Sequence, residues 1–497
     1  MNAADAIRFR ANAEATANES FYHLAHRDVK RMHCSGLACF AARHLRPSEW
    51  AAACEHTPSV YCLGRCYVAP ANGNGHEVPH IECPAPEPIV LANILRGGAQ
   101  TLKAYQNLGG YRALRAALLR PRNAVMDEVE VSQLRGRGGA AFPTAQKWRS
   151  AEAQQVGERF IIANGDEGDA GAYIDRVLME QDPFAVIEGV TLAAYAVHAS
   201  RGFIYVRTEY PDADMTLRNA VQEAFENGFL GSNVLGTELS FEIEVVSGKG
   251  SYLCGEETAL IRSIEGLRPE AQTRPPFCSE RGLFNRPTVI NNIETLVNIP
   301  WIVLNTGAAY ASFGFSKSRG TKVISLNSLF RRPGLYEVEF GIRVRDIVEE
   351  LGGGLKTGTL KGVMIGGPLA GLIPARLFDT NFGFEELRAI GASVGHGGVI
   401  AFDEHTSIAE LVHQVFKFGA FESCGKCTPC RVGTTRIEAI FRAIADGKRA
   451  SQEARAEWNQ LRTLLKTASL CAHGSGLGEF ADSIARRYGK ELDACFA

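Results

Sequence analysis

The chain has 497 residues, which suggests about three domains at about 150 residues each. Hydrophobic residues make up 45% and charged residues 22%, which excludes a disordered, collagen-like or fibrous chain. Lys and Arg total 53 against 55 Asp and Glu, a net charge of -2; with no Lys/Arg block, neither nucleic acid nor an anionic membrane is an expected partner.

The opening MNAADAIRFRANAEATANES carries charges where a secretory signal needs an apolar stretch. The longest uncharged run, Thr295–Phe315, is broken by Asn298, Pro300, Asn305 and Gly307 and predicts buried soluble chain, with no direct membrane insertion. A cytoplasmic protein is expected, where thiols stay reduced. Its 13 cysteines are then metal ligands or buried thiols before they are disulfides. They fall mainly in two groups, Cys34 to Cys83 and Cys424 to Cys471.

In the first group Cys34 and Cys39 stand at C-x4-C, and Cys62 and Cys66 at C-x3-C. Neither is the C-x-x-C of dithiol oxidoreductases. The nearby His23, His26 and His33 are assigned no role. Pro84, Pro86 and Pro88 in IECPAPEPIV predict an extended linker. Over residues 89–317, apolar runs such as RFIIAN and GFIYVR alternate with helical stretches, the pattern of an α/β domain. Residues 318–402, with TKVISL and YEVEF among many glycines, read as a small β-rich domain. From 403 to 497 helical periodicity predicts a bundle.

Four stretches of the middle segment carry candidate chemistry. In RGRGGAAFPTAQKW (135–148), Gly136, Gly138 and Ala141 satisfy G-x-G-x-x-G/A. The preceding DEVEVSQL reads as helix rather than strand, so a plain Rossmann site is refused. Its glycines still admit a phosphate or a flat ring, with Arg137 and Lys147 as countercharge, and Phe142 can stack on a ring. ANGDEGDAGAYIDR (163–176) offers Asn164, Asp166, Glu167, Asp169 and Asp175 without EF-hand spacing. SGKGSYLCGEETALIRSIEG (247–266) places Glu256 and Glu257 at the opening of a helix, and its GKGS is no P-loop. Asn291 and Asn292 both donate and accept hydrogen bonds, which suits the edge of an isoalloxazine.

The sharpest signal is ESCGKCTPCR, in which Cys424, Cys427 and Cys430 stand at C-x2-C-x2-C, with Cys471 farther on. Three thiolates wrapped round one turn and a fourth from elsewhere are what a [4Fe–4S] cluster needs. The two knuckles of a zinc site are missing.

In their order, GRGGAAFPTAQKW, NGDEGDAGAYIDR, SYLCGEETAL, RPPF, PTVINNIETL and ESCGKCTPC resemble the NADH-binding flavoprotein subunit of respiratory complex I. They equally resemble the diaphorase subunits of NAD-dependent formate dehydrogenases and NAD-reducing hydrogenases. The resemblance runs from about residue 100 to 485 and implies a multidomain α/β protein. Residues 1–88 would be a thioredoxin-like ferredoxin domain, 89–317 the FMN- and NAD(H)-binding domain, 318–402 a β-grasp domain, and 403–497 a helical bundle carrying [4Fe–4S]. It assigns FMN contacts to Gly136, Arg137, Gly138, Lys147, Asn164, Asp166, Asn291, Asn292 and Thr295. Glu167, Asp169, Tyr252, Gly255, Glu256, Glu257 and Phe277 match positions that meet FMN or NADH, with Phe142 and Phe277 on the adenine. Cys34, Cys39, Cys62 and Cys66 resemble a [2Fe–2S] ligand set, two thiolates per iron, though with one helix trimmed between the pairs. Ala141 and Ala145 stand where the family usually has glycine.

The resemblance implies a diaphorase subunit in which FMN carries the hydride, so no catalytic protein residue is expected. Glu167 and Glu257 would set nucleotide orientation by their charge. No molybdenum or nickel site is apparent, so formate or hydrogen oxidation would belong to a partner subunit. A complex I type NADH dehydrogenase flavoprotein and a stand-alone NADH:acceptor oxidoreductase are the alternatives.

Overall fold

The computed structural model describes residues 22–496 apart from 26, 76 and 156. The opening stretch read for a secretory signal, and His26, lie outside the described residues.

The N-terminal segment folds as a parallel pair, β1 (His33–Cys34) and β2 (Ser59–Val60), joined through α1 (Pro47–His56). Among the described residues this βαβ unit is the part of the expected thioredoxin-like ferredoxin domain, read with one helix trimmed, that carries strands pairing with each other. The 22 residues between Cys39 and Cys62 hold the short 3-10 helix Arg43–Leu45, α1 and β2. The linker is also corrected. β3 (His80–Glu82) joins the sheet of the small domain as a parallel edge strand. The N–H groups of Ile89, Val90 and Leu91 donate to the buried Glu337 carboxylate at 2.9–3.0 Å, so the prolines lead into a stitched seam.

The middle segment is a four-stranded parallel sheet in the order β6-β5-β4-β7. Its strands are β4 (Phe160–Gly165), β5 (Arg201–Val206), β6 (Glu242–Ser247) and β7 (Thr288–Asn292). The continuous apolar runs of β4 and β5 suit strands covered on both faces. The flanking helices include α2 (Thr144–Glu152), α3 (Ile174–Gln181), α4 (Pro183–Val197), α5 (Glu257–Ile264) and α6 (Ile293–Asn305). Every residue of α4 is buried, and Gly189 lets it close on α6, since a Cβ there would meet Leu296 O at 2.3 Å. The uncharged run from Thr295 becomes α6 and a short following helix. No helix among the described residues is long and apolar enough to cross a membrane.

Residues 318–402 form a mixed sheet of β8 (Thr321–Leu326), β9 (Gly334–Glu339), β10 (Leu360–Ile365), β11 (Leu372–Ile373) and β12 (Gly398–Asp403), in the order β11-β10-β12-β8-β9-β3. Four long helices, α7 (Ile408–Phe421), α8 (Thr428–Ala445), α9 (Gln452–Ala468) and α10 (Ala472–Arg487), and a short one, Gly489–Asp493, follow among the described residues. The architecture is mixed α/β with a helical C-terminal region.

Candidate functional site

Because β4 to β7 are parallel, their carboxyl ends open on one side, where open α/β sheets collect ligands. Asn164 at the end of β4 donates to Gly255 O at 3.0 Å and accepts from Asp166 N at 3.0 Å. Asn291 ends β7 with its Oδ1 accepting from Trp148 Nε1 at 2.8 Å. Asn292 caps α6, its Oδ1 accepting from Thr295 N at 3.2 Å.

The glycine loop crosses this edge between the helix Arg122–Val131 and α2, not after a strand, in keeping with the refusal of a Rossmann turn. Gly136 N donates to Phe142 O at 2.9 Å, closing the loop. At Gly138 a Cβ would stand 2.8 Å from Asn292 Cβ, so only glycine allows the loop to lie against the end of β7. Ala141 has φ +54°, the left-handed region that favours glycine.

Lys147 in the first turn of α2 pairs with Glu257 and donates to Ile290 O at 2.9 Å. Burial works against the Glu257 charge, but Lys147, then Arg274, outweigh it and hold the carboxyl below its ordinary range. Glu256 caps α5, accepting from Thr258 N and Ala259 N at 3.0 Å, and pairs with Arg274. Tyr252 donates its hydroxyl to Asp169 at 2.6 Å, and its N–H to Glu422 at 3.0 Å.

Two of the expected contact residues are held by the chain itself. The Arg137 side chain, 1% exposed, donates to Tyr310 Oη at 2.8 Å, Arg319 O at 2.7 Å and Arg135 O at 2.9 Å. It anchors the loop to the rest of the chain through neutral acceptors and keeps its charge beneath the loop, with Nε buried and unpartnered; its N–H donates to Thr295 Oγ1 at 2.8 Å. Glu167 is fully buried. Its carboxylate accepts from Ile174 N at 2.6 Å, Asp175 N at 3.1 Å and Arg176 N at 3.1 Å. It therefore caps α3. Phe142 and Phe277 are exposed, 45% and 53%, and neither makes a ring contact among the described residues.

What stays uncommitted defines the cradle. The Thr144 and Ser251 hydroxyls are buried without partners, and no described residue donates to the Asp166 carboxylate. Burial, opposed by Arg207 and reinforced by Glu209 and Asp169, pushes the Asp166 carboxyl well above its usual range. A glycine-lined floor, one lysine and a row of amide and hydroxyl groups fit a flavin mononucleotide, with an anionic end and a polar ring edge. Sequence reasoning missed Thr144, Trp148, Arg207 and His396; only the basic residue in VGHGGV offered a signal.

In the C-terminal region, Cys427 and Cys471 are the N-cap residues of α8 and α10. Cys430 Sγ lies 3.2 Å from Ser423 Oγ. Burial raises the Cys471 thiol to about 11 and the Cys430 thiol to about 12, and Cys430 stands close enough to Cys424, Cys427 and Cys471 to feel their charge; four thiols gathered in this way are what a [4Fe–4S] cluster takes. Cys424 and Cys471 pack on Leu253 and Ala259, residues interleaved with Tyr252, Glu256 and Glu257 of the cradle. All four thiols of the N-terminal set are buried. Cys62 Sγ stands 3.8 Å from Cys66 Sγ, and Cys34 interacts with Cys39 and Cys62. Cys54 is exposed.

Known proteins match on these features. The Nuo51 FMN-binding domain covers residues 129–301, and the NADH-ubiquinone oxidoreductase-F iron-sulfur binding region covers 410–495. The F 2 subunit of the NADH-quinone oxidoreductase of Rhizobium meliloti is 39% identical over 78% of this chain and 93% of its own length. The HndC subunit of the NADP-reducing hydrogenase of Solidesulfovibrio fructosivorans is 38% identical over 79% of this chain and 81% of its own. A chain of the NAD+-reducing [NiFe]-hydrogenase, crystallised in the H2-reduced state, superposes with a TM-score of 0.83 and 28% identity, covering 100% of this chain and 90% of that one. The chain therefore belongs to the NADH-quinone oxidoreductase F family, whose members bind FMN and a [4Fe–4S] cluster and exchange electrons with NAD(H).

Proposed function

We propose that this chain is the diaphorase subunit of a cytoplasmic multisubunit oxidoreductase that couples NAD(H) to hydrogen or formate oxidation in a partner subunit. Bound FMN supplies the conversion between two-electron hydride exchange and one-electron transfer. The observation that carries the reading is the packing of Cys424 and Cys471 on Leu253 and Ala259, which puts the cluster thiols against the segment bearing Tyr252, Glu256 and Glu257.

On this reading Gly136, Gly138, Thr144 and Lys147 hold the phosphate end of FMN. Asn164, Asp166, Asn291 and Asn292 meet its ring and ribityl chain, with Gly255 and the Thr295-anchored backbone of Arg137 shaping the floor. Tyr252, Asp169, Glu257, Phe142 and Phe277 form the nucleotide side. Glu167 and Glu256 act through the helices they cap. Residues 318–402 are read as a β-grasp domain. The buried Cys34, Cys39, Cys62 and Cys66 are read as ligands of a [2Fe–2S] cluster in a thioredoxin-like remnant within 1–88.

By sequence the hydrogenase subunit HndC and the R. meliloti subunit match nearly the same share of this chain, 79% and 78%; the hydrogenase branch is supported by the fold, since the hydrogenase chain superposes over 100% of it. Released FMN, iron and acid-labile sulfide per anaerobically purified chain test the proposal. One FMN with about six irons is expected. About four irons would remove the N-terminal cluster, and a folded chain without FMN would overturn the diaphorase reading.

A further inference from the structure

A second buried constellation lies behind the cradle. Glu167, Asp175 and His396 bring one ligand atom each within 4.8 Å of one another, all three buried. His396 comes from the loop entering β12 of the small domain, Asp175 from α3 and Glu167 from the acidic loop. The composition suits a cation, but the oxygens are already engaged. Glu167 accepts three backbone N–H groups. Asp175 Oδ1 accepts from Glu294 N at 3.2 Å, while Oδ2 meets both the Asn292 amide and His396 Nε2, the latter at 2.7 Å. The cation that fits is a proton on the imidazole, facing Asp175 at 2.7 Å and Glu167 at 3.6 Å.

We propose that His396 is a positioning residue for the flavin, acting through Asp175 on the amide of Asn292; this rests on the reading of the cradle given above. The path is continuous. His396 Nε2 donates to Asp175, which accepts the Asn292 Nδ2–H and so leaves Asn292 Oδ1 to take Thr295 N. Thr295 Oγ1 in turn holds Arg137 N in the glycine loop. The small domain thereby sets which way the Asn292 amide faces and where the loop lies. Without the imidazolium, two buried carboxylates confront each other, and the amide loses its fixed acceptor geometry.

The groups facing His396 are Asp175 from α3, Glu167 from the acidic loop and Lys322 from β8; Asp166 and Asp169 also feel its charge. Burial lowers the imidazole pKa and Lys322 opposes the charge, but Asp175 and Glu167 outweigh both and raise it to about 9. The ordered site is complete below the imidazole's ordinary range and is lost as pH rises through about 9. The phosphate of FMN is already dianionic above about pH 7, so it adds no change in that window.

The test is a titration of FMN into the flavin-depleted full chain, read by flavin fluorescence, from about pH 7 to about pH 10. Wild-type affinity is expected to hold and then fall through about pH 9. His396→Gln is expected to weaken FMN binding about tenfold near neutral pH, the size of one charge-assisted hydrogen bond, and to flatten the profile. His396→Lys, which restores a charge, should recover affinity without the step. Wild-type affinity and an unchanged profile in His396→Gln would overturn the proposal. So would a flat wild-type profile, which needs no variant to fold. A wild-type chain that takes up no FMN at any pH would overturn the cradle itself, a result distinct from either.

Discussion

Lys322 and Glu294, both 0% exposed, form an ion pair between β8 of the small domain and the start of α6, two residues after Asn292. Besides the carboxylate, Lys322 Nζ donates to Val323 O at 2.8 Å and His396 O at 3.1 Å. The other Glu294 oxygen accepts from Val323 N at 2.9 Å. Lys322→Met strips one buried carboxylate of its cation and two carbonyls of their donor. Removing one partner of a buried pair costs about 3–5 kcal/mol, and each orphaned carbonyl adds on the order of 1 kcal/mol. A loss of about 5–7 kcal/mol is expected, read as a lower guanidinium midpoint by circular dichroism together with earlier flavin release. Lys322→Met with Glu294→Gln should lose less than the sum of the single changes, because the uncompensated charge is gone. If Lys322→Met stays within about 1 kcal/mol of wild type, the pair behaves as a surface bridge, and its burial argument is refuted.

Other perturbations separate the parts of the site. Ala141→Gly should stabilise the chain by about 1 kcal/mol, because Ala141 sits at φ +54°; a lower melting temperature would contradict that strain. Glu257→Gln frees Lys147 and is expected to change NADH affinity several-fold while FMN stays near one per chain; lost FMN with unchanged nucleotide binding would reverse the assignment. Cys471→Ser should remove about four irons and leave the flavin, whereas Cys54→Ser, at an exposed thiol, should change neither. Burial raises the Asp182 carboxyl to about 7, against its bond from Asn93. A raised acid pKa means that this group's stability is present below its ordinary range and lost as pH rises through about 7. Asp182→Asn should therefore exceed wild type by on the order of 2 kcal/mol above pH 7 and match it in acid; equal melting curves across that range would refute the shift.

Legibility followed the range of the interactions. Local features were readable because they depend on nearby residues. The strands at RFIIAN and GFIYVR, the helix opened by Glu256 and the C-x2-C-x2-C turn needed only alternation, capping and spacing. The rejection of a Rossmann turn likewise followed from the helix before Arg135. The side-chain roles within one motif were less readable. Arg137 and Glu167 lie in stretches whose composition suggests ligand contact, yet one is drawn beneath the loop by Tyr310 and Arg319, and the other turns back to cap α3.

By itself, then, the sequence determined the cysteine pattern, the order of segments and the flavin-binding type of the central loops. Tertiary structure alone decided which groups remain free to bind. Protein donors and acceptors set where a charged side chain stands before any ligand arrives, and those partners, Tyr310 and Arg319 for Arg137, lie far away in sequence. It also decided that Pro84–Pro88 lead into a seam with Glu337, and that His396, 221 residues from Asp175, closes a network behind Asn292. Burial makes each unmade hydrogen bond costly, so these long-range pairings, absent from any local pattern, settle the shape of the site.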